Sequence, residues 1–244
     1  MRLPLPAFVR RHARATLRRF GLDVVRFRPD VHALARRARL LAEHRVDVVL
    51  DVGANEGQYA LELRQLGYRG RITSFEPLAR PFAVLDERAR ADPEASWRAI
   101  HAALGERDGT TTIHVAGNSY SSSILPMLDR HVASAPASRF VGDEVVRVLD
   151  ARRALLEHAQ GRPFLKLDVQ GFEATILRAA GDALDRFVGV QLEMSLVPLY
   201  EGEVLLRGLL DLLEQRRFQL MALEPGFADA ATGQLLQVDG VFFR

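Results

Sequence analysis

The sequence predicts an α/β protein with a doubly wound, mostly parallel β-sheet. Short apolar runs typical of buried strands alternate with segments of helical periodicity, and the connections between them are short. This alternation is typical of strand–helix–strand units, which place helices on both faces of a parallel sheet. The last two apolar runs are joined by turn residues without a helix, so we expect a hairpin and an antiparallel last strand at or near the sheet edge.

Residues 1–45 are expected to form a basic helical extension that precedes a sheet domain of residues 46–244. One helix is predicted over Ala7–Phe20, and a second is predicted from apolar residues at helical spacing: Val31, Leu34, Ala38 and Leu41. Twelve arginines against three acids give the extension a charge of +9, which leaves −7 on the rest of the chain from a total of +2. The extension is therefore distinct from the sheet domain in charge.

Three interpretations of this basic extension stay open. It is a solvated helical face, a peripheral contact for an anionic membrane or lipid, or a lid or homo-oligomer element. Nucleic-acid binding is not expected, because the sheet domain is net negative and aromatic residues make up 7% of the chain.

Nine strands and five helices are predicted in the sheet domain. The strands are expected at Val46–Val52, Arg71–Phe75, Trp97–Ala103, Thr110–Val115, Glu144–Leu149, Phe164–Asp168, Val188–Glu193, Phe218–Leu223 and Val238–Phe243. The helices are expected at Gly57–Leu66, Ala79–Ala91, Arg152–Ala159, Phe172–Ala180 and Glu203–Arg216. The least regular stretch, residues 116–142, is expected to be a lid or binding loop, or a plain connection.

The composition excludes several classes of protein. The chain has no cysteine, so disulfide scaffolds, zinc–thiolate sites, iron–sulfur clusters and cysteine nucleophiles are ruled out. Its seven histidines are scattered and no G-x-S-x-G is present, which argues against zinc chemistry and Ser-His-Asp hydrolysis. No stretch approaches the roughly 18–20 apolar residues of a transmembrane helix, and no secretory signal is recognisable, so a cytoplasmic location is expected.

A glycine-punctuated turn after the first predicted strand is the strongest functional signal. Asp51 ends the apolar run, and Gly53 and Gly57 permit a tight turn into the next helix. Nucleoside-bearing cofactors bind at such carboxyl edges of parallel sheets. The spacing differs from the G-x-G-x-x-G of a dinucleotide site, which disfavours a nicotinamide-dependent oxidoreductase.

Three further strands are also predicted to end in acids. Glu76 lies 25 residues after Asp51, so one strand–helix–strand unit brings it beside the glycine turn, where it could accept both ribose hydroxyls. Lys166 and Asp168 are two residues apart in one predicted strand, so their side chains point to the same face of the sheet. With Glu193 ending the next strand, four carboxylates are expected along one sheet edge.

These motifs, taken in order, resemble the FkbM-type family of S-adenosylmethionine-dependent methyltransferases. The resemblance rests on residues 51–57, 74–77, 166–173 and 191–193, and it extends from about Val46 to Arg244. It implies a seven-stranded, Rossmann-like class I methyltransferase sheet with a reversed last strand. It also implies S-adenosylmethionine as cofactor, with S-adenosylhomocysteine as product, held by Asp51, Gly53, Ala54, Asn55, Gly57, Glu76, Pro77, Ala102, Ser122 and Asp168.

Methyl transfer to a hydroxyl needs alignment and removal of a proton, for which a strand-end carboxylate is suited. Asp168 is the predicted general base, assisted by Glu193 or Glu173. An alternative for Glu173 is that it stabilises the first turn of its helix. A divalent metal held by these three acids is not required by the spacing, although the spacing allows it.

Two functions from different classes follow. The first is an O-methyltransferase acting on a small natural-product, sugar or lipid-linked hydroxyl. The second is a catalytically silent relative of the same fold, used as a binding or membrane-associated module. Retention of Asp51, Gly53, Gly57, Glu76 and Asp168 favours the enzyme.

Overall fold

The computed structural model describes residues 7–244, with backbone only for residues 7–10, 12 and 13. The chain divides into two compact units, one ending at Leu40 and the other spanning Leu41–Arg244. Helix α1 (Ala7–Arg18) begins where the sequence predicts, and helix α2 (Ala33–Glu43) follows it. In the described part of the chain, no helix combines the length and apolar character needed to cross a bilayer.

The second unit contains two short 3₁₀ helices at Pro136–Ser138 and Gly181–Arg186, together with ten strands and six further α-helices, which are named here in chain order. They are β1 (Val48–Val52), α3 (Gln58–Gln65), β2 (Arg71–Phe75), α4 (Ala79–Arg90), β3 (Trp97–Ile100), β4 (Ala103–Gly105), β5 (Gly109–Ala116), α5 (Asp129–Ser134), β6 (Phe140–Asp150), α6 (Ala151–His158), β7 (Pro163–Leu167), α7 (Glu173–Ala180), β8 (Gly189–Ser195), α8 (Leu206–Gln215), β9 (Gln219–Pro225) and β10 (Gln237–Phe243).

Seven of these strands form one sheet, in the order β3-β2-β1-β7-β8-β10-β9. Strands β3, β2, β1, β7 and β8 are parallel to their neighbours, whereas β10 is antiparallel to both β8 and β9. This topology confirms the predicted doubly wound sheet with an antiparallel last strand. The chain leaves β1 toward β2 on one side and later returns to β7 on the other, so a topological switch point lies between β1 and β7.

One predicted strand was wrong. The run Trp97–Ala103 is broken after Ile100 by a turn in which the Ala102 amide donates to the Ile100 carbonyl oxygen at 3.1 Å. Strand β3 before the break belongs to the large sheet, and β4 after it pairs with β6 in a second sheet of order β4-β6-β5. The break leaves residues 101 and 102 outside both sheets, at the carboxyl end of β3 and beside that of β2.

Successive side chains of β1 point to opposite faces of the sheet, which separates the apolar core from the charged residues of the strand. Val48, Leu50 and Val52 leave one face of β1 and belong to a buried cluster that also contains residues of α6, α7 and α8. Asp51 leaves the opposite face, where its register partners are Ser74 on β2 and Lys166 on β7. Charged groups are therefore set inside the sheet at the switch point, directly beneath the loops that follow β1 and β7.

Candidate active site

The loop after β1 is a tight turn that only glycine can begin. Gly53 has a φ of +76°, and a Cβ added there would lie 1.9 Å from the backbone oxygen of Asp168. The amides of Gly53 and Ala54 both donate to the Phe75 carbonyl oxygen at 3.0 Å, which ties the turn to the end of β2. The β1 and β7 loops therefore approach each other closely at Gly53.

Gly57 serves a different purpose. It begins helix α3 with a φ of +85°, and a Cβ added there would meet the Trp97 ring at 2.7 Å. The residue lets the helix pack against β3, so its requirement for glycine is explained by packing in this structure.

Glu76 follows β2 and is 4% exposed. Its Oε2 accepts the Asn55 amide at 2.8 Å, and its Oε1 accepts the Leu78 amide at 2.9 Å. Burial raises the pKa of this carboxyl to about 7, and the two backbone hydrogen bonds moderate the rise. Because a carboxylate oxygen can accept more than one hydrogen bond, each oxygen keeps capacity for a further donor.

Lys166 lies buried between two carboxylates. Its Nζ is 3.4 Å from Asp51 Oδ1 and 3.2 Å from Asp168 Oδ2. Burial alone would lower the pKa of the ammonium, but Asp168, Asp51 and Asp239 outweigh it and the pKa is raised. Lys166 therefore remains charged and draws the Asp168 carboxylate toward the sheet.

Asp51 is the second carboxylate beside Lys166. The side chain is fully buried, and its Oδ2 accepts the Ser74 hydroxyl at 3.2 Å. Burial raises the pKa of the Asp51 carboxyl, and the positive charge of Lys166 partly offsets this rise. The structure thus places the predicted cofactor-binding Asp51 as the buried partner of Lys166.

Gln170 joins Asp168 to Glu193. Its Nε2 donates to Asp168 Oδ1 at 2.8 Å and to Glu193 Oε2 at 2.6 Å. The Tyr200 hydroxyl donates to Gln170 Oε1 at 2.7 Å. Burial, Asp168 and other nearby acids raise the pKa of Glu193 well above its ordinary value. Two predicted catalytic residues are therefore brought together by an amide that the sequence analysis did not single out.

Glu173, the third predicted catalytic residue, is held elsewhere. It is buried in the first turn of α7, and its Oε1 accepts the Val169 amide at 2.9 Å. Burial raises its pKa to about 8. This hydrogen bond joins the start of α7 to the turn that precedes it.

Residues 118–123 of the irregular stretch contact both the loop after β1 and the loop after β7. Asn55 Nδ2 donates to Ser119 Oγ at 3.2 Å, and the Ser123 hydroxyl donates to the Gln170 carbonyl oxygen at 2.7 Å. Ser122 Oγ accepts the Ala116 amide at 3.0 Å and donates to the Ser119 carbonyl oxygen at 2.9 Å. Side chains of this segment close one side of the space above the sheet edge.

These loops enclose a cavity of about 230 Å³ at the switch point. The predicted site residues that line it are Gly53, Asn55, Glu76, Pro77, Ala102, Ser122, Asp168 and Glu193. Asp51, Ala54, Gly57 and Glu173 do not line it and lie around it. Lining residues that the sequence analysis missed include Tyr120, Gln170 and Phe172.

Within the described residues, no group of three or more histidine or acidic side chains is arranged to hold a metal ion.

A mostly parallel sheet with a cavity at its switch point, beside the carboxyl ends of the strands, is the architecture of α/β proteins that take a ligand at this edge. The chain belongs to the FkbM methyltransferase family, because the model of the Methyltransferase FkbM domain matches residues 51–220. A curated relative is the 2-O-methyltransferase NoeI of Sinorhizobium fredii. It is 29% identical over 188 residues, which cover 73% of this chain and 74% of that protein. The family predicted from the motifs is confirmed.

Solved structures resemble the chain at a lower level. An rRNA methylase from Streptococcus thermophilus gives a TM-score of 0.47 at 13% identity, covering 87% of this chain and 96% of that one. Aeropyrum pernix fibrillarin, solved with natively bound S-adenosyl-L-methionine, gives 0.45 at 13% identity, covering 80% and 66%. Likenesses at this level assign no function.

Proposed function

We propose that the protein uses S-adenosylmethionine to methylate a hydroxyl on a small natural-product, sugar or lipid-linked acceptor, releasing S-adenosylhomocysteine. The observation that carries this proposal is the position of Glu76 in the cavity. A nearly buried carboxylate faces the switch-point cavity with hydrogen-bonding capacity to spare. A pair of ribose hydroxyls is the kind of ligand that such a group accepts.

The residues present fit this cofactor. Gly53 and Asn55 line the cavity beside Glu76, and their positive φ values hold the backbone in a tight curve at this point. Pro77, Ala102 and Leu104 supply a mostly apolar wall adjoining Glu76, suited to a nucleobase. Ser122 closes the other side, although its hydroxyl is already bonded to two backbone groups.

When bound, S-adenosylmethionine supplies an electrophilic methyl group, and the chain supplies position and a proton acceptor. Asp168 lines the cavity with both oxygens oriented, one by Lys166 and one by Gln170. A carboxylate held in this way can take the proton of an acceptor hydroxyl. The O-methyl specificity of the relative NoeI supports a hydroxyl acceptor.

Calorimetric titration of S-adenosylhomocysteine tests the cofactor assignment. We expect saturable binding to the wild type and at least a tenfold weaker affinity in Glu76→Ala, because the ribose loses its acceptor. Glu87→Ala is the matched control, since Glu87 is exposed on α4 and lies outside the cavity. Absence of binding to the folded wild type, or equal affinity in Glu76→Ala, would contradict the proposal.

A further inference from the structure

A cluster of exposed apolar side chains lies between α1 and α2. Phe20 is 77% exposed and Phe27 is 60% exposed. Four aliphatic residues of the same segment are also exposed by more than half: Leu22, Val24, Val25 and Val31. We call this set the apolar segment. Six large apolar side chains exposed within twelve residues exceed the scattered exposure that is usual on a soluble surface.

Cationic side chains surround the apolar segment. Residues 11–31 contain six arginines and two acids, a net charge of +4. Both acids are already neutralised within this unit, since Asp23 pairs with Arg14 at 2.7 Å and with Arg18 at 2.9 Å, and Asp30 pairs with Arg28 at 3.1 Å. The segment therefore presents apolar groups inside a field of net positive charge.

We infer that the apolar segment and its arginines form a docking surface for an anionic lipid bilayer. The interface of such a bilayer accepts aromatic and aliphatic side chains, and its surface attracts arginine. A nucleic acid would satisfy the arginines but would leave Leu22, Val24 and Val25 in water. A symmetric contact between two copies of this surface would bring like charges together. Of these three occupants, the bilayer complements both the apolar side chains and the net positive charge.

Vesicle co-sedimentation of the full chain tests this inference. We expect binding to vesicles of phosphatidylcholine with about one-third phosphatidylglycerol, weaker binding in high salt, and little binding to phosphatidylcholine alone. The double variant Phe20→Ser/Phe27→Ser should lower the partition coefficient at least tenfold. Both phenylalanine side chains are exposed in the wild type, so the fold should tolerate their replacement. The ring contact that is lost is the tilted Phe27–His32 pair, with centroids 4.8 Å apart.

The matched control is Val141→Ser/Val145→Ser, which removes two side chains that are each 72% exposed in the other unit. Its partition should equal that of the wild type. Unchanged binding of the phenylalanine variant, or no binding to the anionic vesicles, would overturn the inference. Two further results would also overturn the inference by assigning the surface to another partner. One is salt-sensitive binding to oligonucleotides, duplex or single-stranded, that the phenylalanine variant abolishes. The other is a dimer, seen by light scattering, that the same variant abolishes. S-adenosylhomocysteine affinity is expected to be equal in all three proteins, so this test stands apart from the proposed function.

Discussion

At the scale of single residues, the cavity depends on groups held under constraint. Gly53 occupies a position where a Cβ would overlap the Asp168 carbonyl, and Lys166 is buried between Asp51 and Asp168. The sequence predicted the glycine turn and the shared face of Lys166 and Asp168. It could not predict that Asp51 faces Lys166, because that contact depends on the register between strands more than 100 residues apart.

Gly53→Ala should destabilise the fold and abolish cofactor binding. The added methyl must displace the Asp168 carbonyl, and alanine is strained at a φ of +76°. We expect a loss of about 2 kcal/mol or more in the free energy of unfolding, measured by urea denaturation. Gly142→Ala is the control, because a Cβ there meets no atom within 4 Å. A Gly53→Ala protein with wild-type stability would show that the two loops are not held as described.

Asp168→Asn should separate catalysis from cofactor binding. The amide keeps the shape of the side chain but is a far weaker proton acceptor, so kcat should fall by roughly 10²–10⁴. The NH2 group of the asparagine must face one of two donors, Lys166 Nζ or Gln170 Nε2, so affinity for S-adenosylhomocysteine is also expected to fall, but by much less than kcat. Product formation with an acceptor active on the wild type measures kcat, and Asp211→Asn on the exposed side of α8 is the control. An unchanged kcat would remove Asp168 from the role of general base.

At the scale of elements, the site is an assembly of loops fastened to a regular sheet. The sequence predicted β2 with its observed bounds, because its apolar run ends at Glu76-Pro77. It missed the break between β3 and β4, since residues 97–103 contain no glycine or proline and the pairing of β4 with β6 bridges distant segments. Gln170 was missed for a similar reason: its side chain reaches Asp168 and Glu193 from a turn with a φ of +52°, which no periodicity indicates.

Tyr200→Phe tests how these loops are fastened. The Tyr200 hydroxyl lies 2.7 Å from Gln170 Oε1 and 3.0 Å from the Ser121 carbonyl oxygen, so it links the β7 loop to residues 118–123. Removing it leaves buried acceptors without this donor and should cost about 1–3 kcal/mol of stability. Tyr68→Phe is the comparison, because its hydroxyl makes a single 3.4 Å contact with the Arg71 carbonyl oxygen and should matter less. Equal unfolding midpoints for both variants would contradict this link.

At the scale of the whole molecule, the sheet edge concentrates buried acids. Burial raises the pKa of Glu76 to about 7 and that of Glu173 to about 8, and the pKa of Glu193 also rises. A carboxyl whose pKa is higher in the folded state contributes stability below its unfolded pKa and loses that contribution as the pH rises through the folded pKa. The protein should therefore become less stable as these buried acids ionise.

The melting temperature is expected to fall between about pH 6.5 and pH 8; below this range burial lowers the pKa of His131 to about 4, which favours stability as the pH rises. Glu173→Gln should flatten this dependence, because its amide oxygen can still accept the Val169 amide but cannot ionise. Differential scanning calorimetry over this range measures the slope, and Glu214→Gln, an exposed position on α8, should retain the wild-type slope. Parallel curves for Glu173→Gln and the wild type would show that Glu173 does not titrate in this window.

The buried ammonium at the switch point has a practical consequence. Lys166 is the single lysine in the sequence, so one side chain in the molecule carries a primary amine, and it lies inside the sheet. An amine-acylating reagent can modify that side chain only after the groups that cover it, among them the Tyr59 ring of α3, have moved away and the proton has left. Mass spectrometry of the peptide that carries Lys166, which separates this label from acylation of the terminal amine, would therefore report opening at the switch point without any engineered probe.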